Sequence, residues 1–377
     1  MWWHVICCGR RVTQTKKVSM ALARVAVIAF ALAAGTLAIG CSAESSDVEA
    51  ADEQALTTAK TLTKGISSPT GLAVTSTHVY FGSNHFVASG DPELDQQMAY
   101  WEGKYSRVGI SGGRREVVTD IGPITNVRTV GSKLYFRMSG GCWISAVDTT
   151  AATIEVKPVY TQSDCGEYGL TDFEVTNDAL VVLNFDGPIL RGKPSGSDMT
   201  QIADLRIGTT APFFDAAVLA DGALYVLSTR SLFDNQNHSI PQALYRVGVE
   251  DGVVTKLFDV TSSPSNVVSD GKNVFWTEKG TDIVALAAGS NQPKTIATGL
   301  RHVVELAADG TNVYAADSER NAIYVVKDAL GTPKKKKLAD AKGVQAIAVD
   351  GDKLYFATDA YENNKPAGII GVIKLPQ

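Results

Sequence analysis

Apolar and polar positions alternate along this chain in short runs broken by turn residues, and one arrangement of runs recurs. Its clearest copy spans Leu306 to Leu338. Asp309-Gly310 separates the first two runs there, a dipeptide that tight hairpin turns favour because its residues tolerate positive φ. Val313-Tyr314-Ala315 and Ile323-Tyr324-Val325-Val326 follow, carrying the β-branched and aromatic side chains that pack well on a pleated surface. The same element returns at Val79-Tyr80-Phe81, Leu134-Tyr135-Phe136, Leu180-Val181-Val182, Leu224-Tyr225-Val226, Val274-Phe275-Trp276 and Leu354-Tyr355-Phe356. Successive copies are 55, 46, 44, 50, 39 and 41 residues apart. Units of four strands at a period of about 40–45 residues predict an all-β fold, a β-propeller of seven four-stranded blades.

The last unit offers Ala346–Val349, Leu354–Ala357 and Ile369–Ile373 as strands and stops short of a fourth. Near the start, Ala59–Gly65 has no partner in its own unit and matches the outer runs Lys294–Gly299 and Lys337–Lys342. It is predicted to complete the last blade, closing the ring and removing an exposed sheet edge. The lysine run Lys334–Lys337 falls on an outermost strand, where lysines discourage edge-to-edge pairing.

The innermost strands surround the axis. Eight residues before each repeat element stand Gly71, Asn126, Asp172, Ala216, Asn266, Glu305 and Ala346, and the next position is apolar in every unit. The apolar set is predicted to be blade-to-blade core. The preceding set places Asn126, Asp172, Asn266 and Glu305 near one mouth of the central channel, with Asp215 and His302 close by. The long insertions, Asn84–Lys104, Thr229–Ala243 and the smaller Asp359–Ala367, all connect second to third strands and so emerge on that same face. Elaborated loops on a rigid scaffold are where binding concentrates. They carry the candidates His85, Tyr100, Trp101, Arg230, Phe233 and His238. Cys142 and Cys165 also belong to this face. A disulfide between them is expected in an oxidising compartment, with two free thiols as the alternative. Two cysteines alone cannot make a structural zinc site.

Of 377 residues 45% are hydrophobic, ample for a large core. Residues 1–40 hold five basic residues and no acid, leaving 30 bases against 40 acids in the remainder. No basic patch with interleaved aromatics offsets that balance, which argues against a nucleic-acid partner. The basic residues precede an apolar run, Val25–Ala34, then small residues and Cys41, the form of an export signal and too short to span a bilayer comfortably. Met20-Ala-Leu-Ala-Arg has the form of a natural start. Residues 41–58 are small and acidic, with too few large apolar side chains to bury a core, and read as a solvated tether to a propeller over 59–377.

Catalytic signatures are scarce. Gly109-Ile110-Ser111-Gly112-Gly113 matches G-x-S-x-G, but that motif needs a strand-to-helix elbow and here occupies a hairpin turn. No H-E-x-x-H, phosphate-binding loop or dinucleotide fingerprint is present. Asp91, Glu93 and Asp95 alternate like oxygen ligands but lack the glycine and closing glutamate of a calcium loop.

Three resemblances add to this reading. Leu37-Ala38-Ile39-Gly40-Cys41 resembles the lipobox of bacterial lipoproteins, which implies cleavage before Cys41 and acylation of that residue. Ser42 after it implies sorting to the outer membrane. Two or three acyl chains hold a protein stably on a bilayer. Tyr80-Phe-Gly-Ser83, Phe275-Trp-Thr-Glu278 and Tyr314-Ala-Ala-Asp317 resemble degenerate YWTD- or NHL-type propeller repeats, which implies a binding scaffold. Asn126, Asp172, Asn266 and Glu305 are similar to the divalent-metal ligands of gluconolactonase-like propellers, which implies calcium or another divalent cation. The expected function is thus an exported, lipid-anchored module of the cell envelope, without a cofactor. It would bind a protein, glycan or small molecule through its loop-rich face. The alternative is a metal-dependent lactonase-like hydrolase at the channel mouth.

Overall fold

The computed structural model describes residues 58–87, 100–120, 122–138, 141–151, 153–162, 169–185, 187–206, 214–228, 232–233, 239–240, 242–260, 264–363 and 365–376. All belong to the unit Glu53–Gln377, and among them there is no helix.

Seven four-stranded antiparallel sheets form the blades of a propeller. The first strand, β1 (Lys60–Ile66), is set aside for the last blade. Blade one is β2 (Pro69–Val74), β3 (His78–Val87), β4 (Tyr100–Gly109) and β5 (Glu116–Thr119). Blade two is β6 (Ile124–Val130), β7 (Lys133–Met138), β8 (Trp143–Asp148) and β9 (Lys157–Thr161). Blade three is β10 (Leu170–Val175), β11 (Leu180–Asn184), β12 (Pro188–Gly192) and β13 (Thr200–Asp204). Blade four is β14 (Phe214–Ala220), β15 (Ala223–Ser228), β18 (Ala243–Gly248) and β19 (Val254–Asp259), with a small hairpin of β16 (Leu232–Phe233) and β17 (Ser239–Ile240) inserted. Blade five is β20 (Ser265–Ser269), β21 (Val274–Glu278), β22 (Asp282–Leu286) and β23 (Lys294–Ala297). Blade six is β24 (Val303–Ala308), β25 (Val313–Asp317), β26 (Ala322–Lys327) and β27 (Lys334–Asp340). Blade seven is β28 (Val344–Asp350), β29 (Lys353–Thr358), β32 (Gly368–Lys374) and, on its outside, β1, with the hairpin of β30 (Tyr361–Glu362) and β31 (Lys365–Pro366) inserted.

The N-terminal strand therefore closes the ring as its pattern predicts. Lys60 pairs with Val372 and Ile66 with Gly368, antiparallel. Just after β1, the Ser68 N–H donates to Asp359 Oδ1 at 3.1 Å, tying the entry of blade one to blade seven. Each innermost strand packs against those of its two neighbours, and β28 meets β2.

The core is not one mass but seven clusters, one at each joint between adjacent blades. This explains the repeat element. A second strand is buried on both faces, so consecutive residues serve opposite joints: Val79 and Phe81 pack toward blade seven, Tyr80 toward blade two. Alternation would suffice for a half-exposed strand; a blade needs the continuous apolar run. The apolar position of the innermost strands behaves as predicted, with Phe173, Ala217, Val267, Leu306 and Ile347 buried in these joints.

The lysine run lies on outermost β27, and Lys335 Nζ reaches back to donate to Thr298 O at 2.8 Å. Gly109–Gly113 is the turn between β4 and β5, where Gly112 N donates to Gly109 O at 2.8 Å and no helix follows. The insertions depart from the loop expectation. β3 and β4 continue pairing beyond the blade to Val87 and Tyr100, and the other two carry the hairpins β16/β17 and β30/β31. Paired backbone satisfies its own hydrogen bonds, so these extensions can project without a core beneath them.

Candidate functional site

The site begins with an irregularity shared by all innermost strands. Each carries a register shift at or immediately before the position that the sequence marks as polar. In blades one, two and five that residue is left-handed: Gly71 at φ +56°, Asn126 at +48° and Asn266 at +52°. Glycine adopts this conformation freely, and asparagine is among the few other residues that tolerate it. Backbone conformation thus accounts for both asparagines. At Gly71 space matters too, since an added Cβ would lie 2.7 Å from Val127 Cγ2.

Their side chains then clasp neighbouring blades. Asn266 Nδ2 donates to Val303 O at 2.9 Å, from blade five to blade six. Asn126 Nδ2 donates to Asp172 Oδ1 at 2.6 Å, from blade two to blade three, while its Oδ1 accepts from Arg137 Nη2 at 3.2 Å. Asp172 is only 2% exposed. Its Oδ1 also accepts from the Phe173 N–H at 2.8 Å, and its Oδ2 from the Ala217 N–H of blade four at 3.0 Å. One carboxylate joins three blades.

Two residues further along the same strands stand Arg128 and Glu174. Arg128 Nε donates to Glu174 Oε1 at 2.7 Å, its Nη1 donates to Val127 O at 3.1 Å, and its Nη2 lies 3.5 Å from Asp172 Oδ1. The guanidinium sits 6.0 Å from the centre of the Phe173 ring. Burial alone would lower the pKa of Arg128, but the charges of Glu174, Asp172 and Glu305 outweigh it and hold the group protonated. Burial pushes the Glu174 carboxyl up to about 7, with repulsion from Asp172 adding to it and Arg128 opposing. Glu305 is likewise pushed up to about 7 by burial, with Arg128 opposing across the channel. It makes no hydrogen bond or ion pair among the described residues.

These groups line a central cavity of about 630 Å³. Its wall is divided. Blades two and three supply Arg128, Asp172 and Glu174, and blades five and six supply Asn266 and Glu305. Between these two polar banks lie apolar walls, Val218 and Leu219 of blade four on one side, Leu72, Ala346 and Ile347 of blades one and seven on the other.

Asn126, Asp172, Asn266 and Glu305 thus line one cavity. The Asp172 carboxylate is occupied by backbone and amide donors, Asn126 and Asn266 donate their amide nitrogens across blade joints, and a guanidinium neighbours the carboxylates. Among the described residues no group of three or more His, Cys, Asp or Glu could hold a metal ion. His302 is exposed and lies outside the cavity wall, its Nδ1 2.9 Å from Ser318 Oγ. Its N–H, with those of Arg301 and Arg320, donates to fully buried Asp317, so the acid of the Tyr-Ala-Ala-Asp segment anchors the loop entering blade six.

His85, Tyr100 and Trp101 occupy the β3/β4 extension, Phe233 lies on β16 and Asp215 on β14. The side chains of all five fall outside the described residues, as do Arg230, His238, Cys165, Asp91, Glu93 and Asp95. Arg128 and Glu174 escape a reading that stops at the polar position. The signal that finds them is two residues on, where the other five blades have Ala73, Val218, Val268, Ala307 and Ala348.

No family model matches this chain, and no curated protein matches it. Among solved structures, the chain is similar to the computationally designed Ika8 protein at 12% identity and a TM-score of 0.54, over 84% of this chain and 98% of that one. That likeness shows the fold alone. Regucalcin from Agrobacterium tumefaciens, described as a calcium-binding protein, matches at 12% identity and a TM-score of 0.45, over 67% of this chain and 92% of that one. A luciferin-regenerating enzyme matches at 11% identity and a TM-score of 0.45, over 64% and 87%. Neither bears on the site at such scores.

Proposed function

We propose that this protein is a lipid-anchored binding module of a bacterial cell envelope that takes its partner or ligand on the face bearing the mouth of the central cavity. The observation that supports this is the placement of its elaborations. The β3/β4 extension and the hairpins β16/β17 and β30/β31 all arise between second and third strands, hence on one face. They arise from blades one, four and seven, the same blades that present apolar walls to the cavity. Anchoring rests on Cys41 and the lipobox-like residues before it, with the outer membrane as the destination that Ser42 favours. A Cys142–Cys165 bridge belongs to this reading. Cys142 directly precedes β8, at the end of that strand which meets the loop-bearing face.

A photo-crosslinking residue at Glu102, on the β3/β4 extension, tests the binding face against one at exposed Val117 on outermost β5. A discrete adduct in cells from position 102 and none from 117 is expected; equal adducts from both would remove the face from consideration. Metabolic labelling with an alkyne fatty acid, lost in Cys41→Ser, checks the anchor.

A hydrolytic reading of the same cavity draws on Glu305, whose carboxyl has no hydrogen-bond partner among the described residues. It requires turnover of lactones or esters that disappears in Glu305→Gln, and a divalent ion in the purified protein.

A further inference from the structure

We infer that the central cavity binds an organic cation, an ammonium group carried on an apolar body, with Glu305 as its counter-ion. The inference deepens the binding reading above and rests on it.

The charge balance of the wall decides the sign of the ligand. Arg128 is its one cation among the described residues, against Asp172, Glu174 and Glu305. Arg128 is already committed to Glu174 and to the Val127 carbonyl, with Asp172 beside it. Asp172 is committed to three donors. An anionic ligand would find the guanidinium engaged and would meet carboxylates on both banks. A cationic ligand would find Glu305 without a partner and Glu174 opposite.

Shape and polarity decide the rest. A half-buried carboxylate in a cavity wall, without a partner, gains a charge-assisted contact when a donor reaches it, and an ammonium supplies up to three. The two polar banks are separated by Leu72 and Ile347 on one side and by Val218 and Leu219 on the other, which suit a hydrocarbon body. A volume of about 630 Å³ lies within the roughly 300–1,000 Å³ of small-molecule sites. A bare metal ion would leave those apolar walls wet and finds no gathered ligand set among the described residues.

Calorimetric titration of the full-length protein with hexylammonium, hexanoate and hexanol tests this, since the three share a body and differ in head group. Hexylammonium is expected to bind more tightly than hexanol, and hexanoate least. In Glu305→Gln, hexylammonium should bind about 10–100-fold more weakly, the loss of one charge-assisted contact, while hexanol is unchanged. Thermal melts show whether that variant is folded; if it is not, the wild-type ranking of the three probes stands as the test. Hexanoate binding above hexylammonium would overturn the assigned ligand class while leaving a cavity site in place. Failure of all three probes would overturn the cavity site itself, and crosslinking from Glu102 would still report on the face independently.

Discussion

Asn126 Nδ2 on β6 and Asp172 Oδ1 on β10 meet at 2.6 Å across the joint between blades two and three. The same carboxylate holds the Ala217 N–H of blade four, so this buried acid is a fastener between blades. Asp172→Asn would replace an all-acceptor group by one whose amide nitrogen must face a donor. A loss of about 2–4 kcal/mol in urea unfolding is expected, the scale for breaking a buried charged network from one side. A change within about 0.5 kcal/mol, the range of ordinary surface substitutions, would show that Asp172 does not fasten the joint.

Asn266 sits at φ +52° and clasps Val303 O. Alanine there would lose the hydrogen bond, worth about 0.5–1.5 kcal/mol, and add about 1–2 kcal/mol of left-handed strain. Glycine would lose mainly the bond. The expected order of stability is Asn266, then Gly, then Ala, measured by thermal melts. Equal melts for Gly and Ala would mean that the left-handed backbone is not what selects this residue.

Glu305 links stability to pH. Its folded pKa, about 7, is raised above the unfolded value near 4.5, because burial penalises the ionised form. A raised carboxyl contributes stability that is fully present below the unfolded pKa and is lost as pH rises to about 7. Arg128 faces it from β6, Asp172 and Glu174 from β10, and Glu174 shifts in the same direction. Glu305→Gln, always neutral, should therefore be more stable than wild type at pH 8, by an amount of order 1–3 kcal/mol, and similar to it below pH 4.5. Parallel unfolding curves across this range would contradict the assignment.

Ring closure depends on β1. A chain beginning at Ser67 would lose buried Leu62 and Ile66 and expose the edge of β32. At about 1.5–3 kcal/mol for each buried side chain, a loss of roughly 3–6 kcal/mol is expected, with association through the bare edge. A synthetic peptide covering residues 58–66 should restore part of the melting temperature. A truncated chain that stays monomeric with an unchanged melt would show that closure does not require the strand.

The proposed Cys142–Cys165 bridge would close a loop around blade two. Its removal by Cys142→Ser should lower stability by about 2–4 kcal/mol under oxidising conditions. Reductant should then have no further effect on the variant while bringing the wild type down to it. Two reactive thiols per unfolded, non-reduced wild-type body would dismiss the bridge.

Local pattern determined the number of blades, the strand that closes the ring and the register of the innermost strands. Each rests on short-range information: alternation with period two, hairpin dipeptides, and the double-sided burial that makes Val79-Tyr80-Phe81 continuously apolar. What stands on the axis was decided by tertiary structure. Asn126 and Asn266 read as polar ligands in the chain, and only their φ angles and inter-blade bonds reveal them as parts of the frame. Arg128 and Glu174 are 46 residues apart, and nothing local says that they pair. Their partnership, and the isolation of Glu305 opposite, exist only because seven strands from distant units converge, where burial and long-range charge rather than local propensity set the chemistry.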